Sequence, residues 1–363
     1  MTKVSFFIPN FNGGGAENSA CELANEFVKN SINTEIIILK DIGPTKKILS
    51  KKVNIKSLNA KKMIFSLLKF TNYIKKTNPD FIITNLNHSS FIALFAKRIF
   101  KLKYKIIITF VNKINLNLNP KNLINLIYIV FIKMLIDQNT NIVTITEGIK
   151  NDLIKYWKFK PKMITVIYPP SNIDNINTLK NIKNKDKLII NKKNKYILSV
   201  GRLSKQKDHY TLIKAFDLLE KKINSELIII GEGKEYNKLN KLVKKLNLSK
   251  KVHFRKYTLN PYYYMKNCDL FVLSSKWEGF AIVLVSALVC KIPIISTNCK
   301  HGPSEILENG KWGRLTDVGN IEDLYTNMLD ILSNNKTFAN SEKRAENFSL
   351  TKSVRSHLKL IGI

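Results

Sequence analysis

Arg202 and Lys207 follow an apolar run that ends at Val200 and a turn glycine at Gly201. A guanidinium can grip a diphosphate at two points while an ammonium adds a mobile charge, and together they offset negative charge on a departing phosphate group. Gly231 and Gly233, around Glu232, follow the next apolar run. Glu278-Gly279-Phe280 follows a third and precedes an apolar stretch that starts at Ala281. A carboxylate there can accept hydrogen bonds from sugar hydroxyls, and a helix N-terminus behind it favours a phosphate; taken alone, it reads equally as a capping glutamate in a tight turn. Near the start of the chain, Gly13-Gly14-Gly15 precedes a helix predicted over residues 16–29, so backbone can approach a phosphate there too. Neither cluster is the G-x-G-x-x-G fingerprint, because Asn18 and Tyr236 stand where the third glycine belongs. A nicotinamide dinucleotide site therefore finds little support. Phosphate-friendly turns in both halves point to a ligand held between two domains.

The elements that must position these residues alternate between short apolar runs and helical patterns, which predicts an α/β fold with parallel sheets. Strands are predicted at 4–9, 34–39, 81–84, 105–110, 142–146 and 163–167 in the first half. In the second half they are predicted at 196–200, 226–230, 252–254, 270–273 and 294–296. A polar tract rich in Asn and Lys begins after Tyr168-Pro169-Pro170 and reads as an interdomain linker. The expected division is a first domain at 1–170, a linker at 171–195, a ligand-binding domain at 196–345, and a helix in 346–363 that returns toward the first domain.

The 363 residues suffice for two cores, and 44% hydrophobic with 24% charged residues is a globular composition. The net charge of +33 raises a nucleic-acid or membrane reading. Residues 1–180 hold 27 basic and 10 acidic side chains and residues 181–363 hold 33 and 17, an even spread that fits a general Lys, Asn and Ile bias. No aromatic-interleaved basic motif accompanies the charge, which argues against nucleic acid. Residues 44–105 differ, with 15 basic side chains and the single acid Asp80. Within them, residues 61–76 place apolar residues at helical spacing with Lys61, Lys62, Lys69, Lys75 and Lys76 at the edges. That segment fits an anionic bilayer surface, or equally an ordinary amphipathic helix packed on a sheet. The most apolar window, 123–136, is too short to span a bilayer and is expected to be a buried helix. Cys21, Cys268, Cys290 and Cys299 form no CxxC pair and have no His at ligand spacing, so neither zinc nor a disulfide framework is expected. The opening apolar run is too short for a secretory signal. The expected location is the cytoplasm, peripheral on the inner face of the plasma membrane.

Taken together, these residues resemble the nucleotide-sugar glycosyltransferases of family 4, whose architecture is GT-B. The resemblance rests on Gly14-Gly15-Ala16-Glu17, on Val200-Gly201-Arg202-Leu203 with Lys207, and on Ile230-Gly231-Glu232-Gly233. It rests also on Ser274-Ser275-Lys276-Trp277-Glu278-Gly279-Phe280 and on Gly302-Pro303-Ser304-Glu305-Ile306-Leu307. With Asn309-Gly310-Lys311-Trp312-Gly313 following, this last motif looks most like bacterial enzymes that add N-acetylhexosamine to lipid-linked oligosaccharides or surface polysaccharides.

The resemblance implies two doubly wound Rossmann-like domains facing a cleft, with Arg202 and Lys207 on the donor diphosphate and Gly14 and Gly15 approaching it. It further implies Glu278 on the transferred sugar, and Gly201, Gly231, Phe254, Gly279, Phe280 and Ala281 lining the donor site. The implied reaction retains anomeric configuration, takes a UDP-sugar, uses no metal or other cofactor, and delivers the sugar to a lipid-linked or polysaccharide acceptor. Three positions depart from the family pattern. Ser286 stands where a second Glu commonly holds the ribose, Lys256 where a Gly is usual, and Val111-Asn112-Lys113 where many members carry a His. His88 is expected to end a first-domain strand near the acceptor hydroxyl, either as a catalytic group or as an incidental loop residue; His253 and His301 lie near the donor site by resemblance. Two other readings remain: a nucleotide-sugar epimerase on the same fold, and a non-catalytic partner subunit that has lost site residues.

Overall fold

A computed structural model describes residues 2–12, 14–111, 120–182 and 194–363. Gly13, Asn112, Lys113 and the linker positions 183–193 lie outside the described residues. The chain divides into two compact units, Met1–Pro170 with Leu350–Ile363, and Ser171–Ser349.

The first unit contains strands β1 (Lys3–Ile8), β2 (Asn33–Ile38), β3 (Asn54–Ser57), β4 (Phe81–Thr84), β5 (Lys105–Phe110), β6 (Thr140–Thr144) and β7 (Ile164–Val166). They form one parallel sheet in the order β3-β2-β1-β4-β5-β6-β7. Helices α1 (Gly15–Lys29), α2 (Leu67–Thr77), α3 (Asn87–Ile99), α4 (Pro120–Leu135) and α5 (Glu147–Trp157) connect them. Right-handed crossovers put α1 on one face and α2 to α5 on the other, because the chain reverses its direction across the sheet after β3. Coverage on both faces explains the unbroken apolar strands, such as the fully buried Phe81–Thr84.

The second unit holds α6 (Ile173–Leu179), β8 (Lys195–Val200), α7 (His209–Leu219), β9 (Ser225–Ile230), α8 (Tyr236–Lys245), β10 (Val252–Arg255) and α9 (Tyr262–Asn267). It continues with β11 (Leu270–Leu273), α10 (Ile282–Cys290), β12 (Ile294–Thr297), α11 (Pro303–Ile306), β13 (Arg314–Thr316), α12 (Ile321–Ser333) and α13 (Ser341–Ala345). Its parallel sheet has the order β10-β9-β8-β11-β12-β13. The chain then ends in α14 (Leu350–Ile361), whose Val354 and Ile361 join the core around β1, β2 and α1. Ser353 Oγ donates to the Tyr168 carbonyl at 2.9 Å, and His357 Nδ1 lies 2.9 Å from the Ser353 carbonyl.

Several expectations change. The tract read as a linker begins with α6, which packs against α10 as part of the second unit, and Lys180 Nζ donates to the Val289 carbonyl at 3.0 Å. Residues 346–349 also belong to the second unit, so the return to the first starts at Leu350 rather than at 346. The short edge strands β3 and β13 carry too little apolar sequence to be read in advance. The window expected to form a buried helix is instead half-exposed α4: Ile129 and Ile132 are buried, whereas Ile127, Val130, Phe131 and Met134 are exposed. A uniformly apolar sequence cannot reveal which of its faces meets a neighbour.

Candidate active site

In each sheet the strand order reverses at a switch point, between β1 and β4 in the first unit and between β8 and β11 in the second. Loops at the carboxyl ends of those strands diverge to opposite faces and leave a crevice that suits a ligand. Every sequence motif follows one of these strands or its immediate neighbour, the 302–307 segment coming after β12 beside β11.

In the second unit, the loop after β8 carries Gly201, Arg202 and Lys207, and the loop after β11 carries Glu278, Gly279 and Phe280. Lys207 Nζ donates to Glu278 Oε1 at 2.6 Å across 71 positions of sequence. Ser275 Oγ donates to the same carboxylate oxygen at 2.5 Å, and Thr297 Oγ1 ties down the Ser275 carbonyl at 2.6 Å. Glu278 is 6% exposed, a buried carboxylate satisfied by one cation and one hydroxyl. Two bonds to main-chain carbonyls lock the loops together, one donated by Ser274 Oγ to the Lys207 carbonyl at 2.9 Å and one by Lys276 N to the Gln206 carbonyl at 2.8 Å. Arg202 is exposed and forms no ion pair among the described residues.

The loop after β9 supplies the floor. Gly231 has φ 150°, and a Cβ there would run into the Gly201 carbonyl oxygen; a Cβ at Gly233 would strike the Leu203 carbonyl. These glycines therefore serve close backbone packing beneath the Arg202 turn. Phe254, at the end of β10, is half-buried and meets the Tyr236 ring edge-on at 5.4 Å between centroids. Ala281 takes a left-handed conformation, φ 62°, where the chain turns into α10. Ser286 is 7% exposed on that helix, among residues 284–290 that are all buried. Burial, with the Glu278 charge nearby, pushes the Cys299 thiol up to about 12, so it stays protonated. His253 pairs with Glu226 at 2.7 Å. His301 is buried, with φ 66° in the turn that precedes Gly302.

In the first unit, Gly14 and Gly15 open α1 after β1, and the Glu17 side chain folds back over Gly14. The loop after β4 approaches the same turn, because Asn85 Nδ2 donates to the Ala16 carbonyl at 3.2 Å. His88 does not end a strand: β4 stops at Thr84 and His88 sits in the first turn of α3, where burial lowers its pKa below the usual 6.5. Among the described residues no three His, Cys, Asp or Glu side chains gather as a metal would require, and no helix is long and apolar enough to cross a membrane.

Ser275 and Asn85 show in the sequence only as members of longer segments, and Thr297 carries no local signal. Their work depends on strand order, which brings β11 beside β8 and β12, and β4 beside β1.

Comparison with known proteins agrees with this construction. Residues 13–175 match the model of Glycosyltransferase Family 4, and residues 180–348 match that of Glycosyl transferases group 1. The chain is 30% identical to the N-acetylgalactosamine-N,N'-diacetylbacillosaminyl-diphospho-undecaprenol 4-alpha-N-acetylgalactosaminyltransferase of Campylobacter jejuni, over 99% of this chain and 100% of the relative. Among solved structures, Anabaena HepE in complex with UDP-glucose superposes with a TM-score of 0.84 at 17% identity, covering 100% of both chains. A glycosyltransferase from Rickettsia africae does so with a TM-score of 0.81 at 20% identity, over 99% of this chain and 97% of the other. These likenesses identify the fold as GT-B, with two parallel-sheet Rossmann-like domains. With a relative matched from end to end and a family model on each half, the chain belongs to the group 1/family 4 glycosyltransferases.

Proposed function

We propose that this enzyme moves an N-acetylhexosamine from a UDP-sugar to a lipid-linked or surface glycan, with retention of anomeric configuration. The observation that carries the reading is the Lys207–Glu278 pair at 2.6 Å, set beside the exposed Arg202 at the switch point of the second sheet. Two cations there offset the charge of a departing nucleoside diphosphate, the task a metal performs in other transferases, and Glu278 accepts from the sugar hydroxyls. The other carboxylate of these two loops, Asp208, accepts from Thr211 Oγ1 at 2.7 Å and pairs with Lys276 at 3.5 Å, which commits it to the start of α7 rather than to nucleophilic attack. Attack on the face from which the diphosphate leaves, guided by that group, fits better than a glycosyl-enzyme.

The acceptor class is supported by the Campylobacter relative, whose name specifies a diphospho-undecaprenol substrate, and the donor class by the UDP-glucose complex of the Anabaena protein. Contact with the membrane that carries such an acceptor is assigned to the region of α2. There Ile64, Phe65 and Leu68 are exposed among Lys61, Lys62 and Lys69. Apolar side chains on an outward basic face fit a bilayer surface better than a solvated one. Mass-spectrometric analysis of products from a panel of UDP-sugars with an extracted lipid-linked acceptor tests the proposal. A sugar adduct on the acceptor is expected; isomerised UDP-sugar without acceptor, or no reaction with any donor, would overturn it.

A further inference from the structure

The end of the second unit holds two of the loops that bear motifs, although it carries no motif of its own. Arg344, in α13, donates from Nε to the Ile306 carbonyl at 2.9 Å and from a terminal nitrogen to the Glu305 carbonyl. Those acceptors lie at the end of four-residue α11, where carbonyls outnumber helical donors. The same guanidinium lies over the Phe348 ring, 4.9 Å from its centroid, and Phe348 meets the Phe280 ring edge-on at 5.3 Å. Phe348 is 1% exposed and Phe280 4%. The two loops also touch: Gly302 has φ 83°, and a Cβ there would lie 2.7 Å from the Phe280 carbonyl oxygen. Ser341 Oγ, donating to the Leu288 carbonyl at 3.1 Å, fixes α13 to α10.

We infer that Arg344 and Phe348 are positioning residues for sugar transfer, a brace that sets the Glu278-Gly279-Phe280 loop against the 302–306 turn. The inference rests on reading the Glu278 loop as the donor-sugar site. Both loops turn through residues of positive φ, Ala281 and Gly302, whose carbonyls accept from Leu284 N at 2.9 Å and from Ile306 N at 2.8 Å. One planar cation adds a side-chain brace beyond those backbone bonds. Its fork reaches two carbonyls while its face stacks on a ring, and a lysine can do only part of either. Neither residue needs to touch the reacting atoms, because a small displacement of the Glu278 carboxylate is enough to lose catalytic alignment.

The test uses the full chain with Arg344→Met, Arg344→Lys and Phe348→Leu. Amide hydrogen exchange in residues 278–281 and 302–307, thermal unfolding, UDP affinity and initial rates are measured on each. Arg344→Met should speed exchange in both loops and lower kcat/KM for the donor by about 10- to 100-fold at an unfolding temperature within a few degrees of wild type. Arg344→Lys should recover part of both effects. Unchanged loop exchange with an unchanged kcat/KM, or a loss that merely follows the fraction unfolded, would overturn the brace. If Arg344→Met does not fold, Phe348→Leu, which keeps an apolar side chain at that position, carries the same comparison. A wild-type enzyme that binds no UDP would sink the donor-site reading alone, since loop exchange reports on the brace without ligand.

Discussion

Lys207 and Glu278 meet at 2.6 Å, with Ser275 on the same carboxylate oxygen, so the Lys207 charge is neutralised within the site. On the proposed reading a diphosphate competes with Glu278 for Lys207, while Arg202 is exposed. Lys207→Ala and Arg202→Ala should each reduce turnover by roughly 100-fold or more. Only Lys207→Ala should also destabilise the fold, by about 3 kcal/mol, because it leaves a buried carboxylate without its cation. Chemical denaturation alongside initial rates separates the two; near-normal turnover in both variants refutes the diphosphate assignment.

Gly231→Ala should lower the unfolding temperature and weaken UDP binding together. The new methyl must displace the Gly201 carbonyl, and with it the turn that presents Arg202. Calorimetry on the purified variant reads both effects. A wild-type UDP affinity would show that the 201–203 turn does not hold the diphosphate.

Ser286→Glu introduces the acid that the family resemblance implies at this position. If the ribose is held there, UDP binding should tighten by about 1–3 kcal/mol. Without nucleotide the variant should melt earlier, since the carboxylate is placed on a buried stretch of α10, and UDP should restore the loss. Weaker UDP binding in a folded variant would place the ribose elsewhere.

Flotation with vesicles that contain anionic lipid should capture the protein at low salt and release it as ionic strength rises, because exposed charge is screened over about 10 Å at 0.1 M. Replacing Lys61, Lys62, Lys69, Lys75 and Lys76 by Gln should weaken capture, and Phe65→Ser should weaken the part that persists in salt. Unaltered flotation of the glutamine variant would make the α2 region an ordinary solvated surface.

Acid should loosen the first unit through His357, whose pKa burial lowers from 6.5 to about 4. The unfolded chain takes up the proton first as pH falls, so this contribution to stability is complete above about pH 6.5 and shrinks toward pH 4, at about 1.4 kcal/mol per unit. Urea midpoints at neutral and mildly acid pH should therefore fall less for His357→Gln than for wild type. Parallel pH slopes for the two proteins would exclude His357 as a source of acid sensitivity.

Local sequence was enough to reveal the alternation of strand and helix, the two Rossmann-like units, and the turns at Gly14, Gly201, Gly231 and Glu278. Each of these is a pattern a few residues long, governed by backbone preference and burial period. Local order could not supply which strand lies beside which. Strand order at the switch points alone turns Lys207 and Glu278, 71 positions apart, into an ion pair, gives Ser275 and Thr297 their partners, and ties Asn85 to the α1 turn. The same limit explains α4 and His88. The outward side of an evenly apolar helix, and the element that receives a polar residue past a strand end, are settled by packing against neighbours distant in sequence.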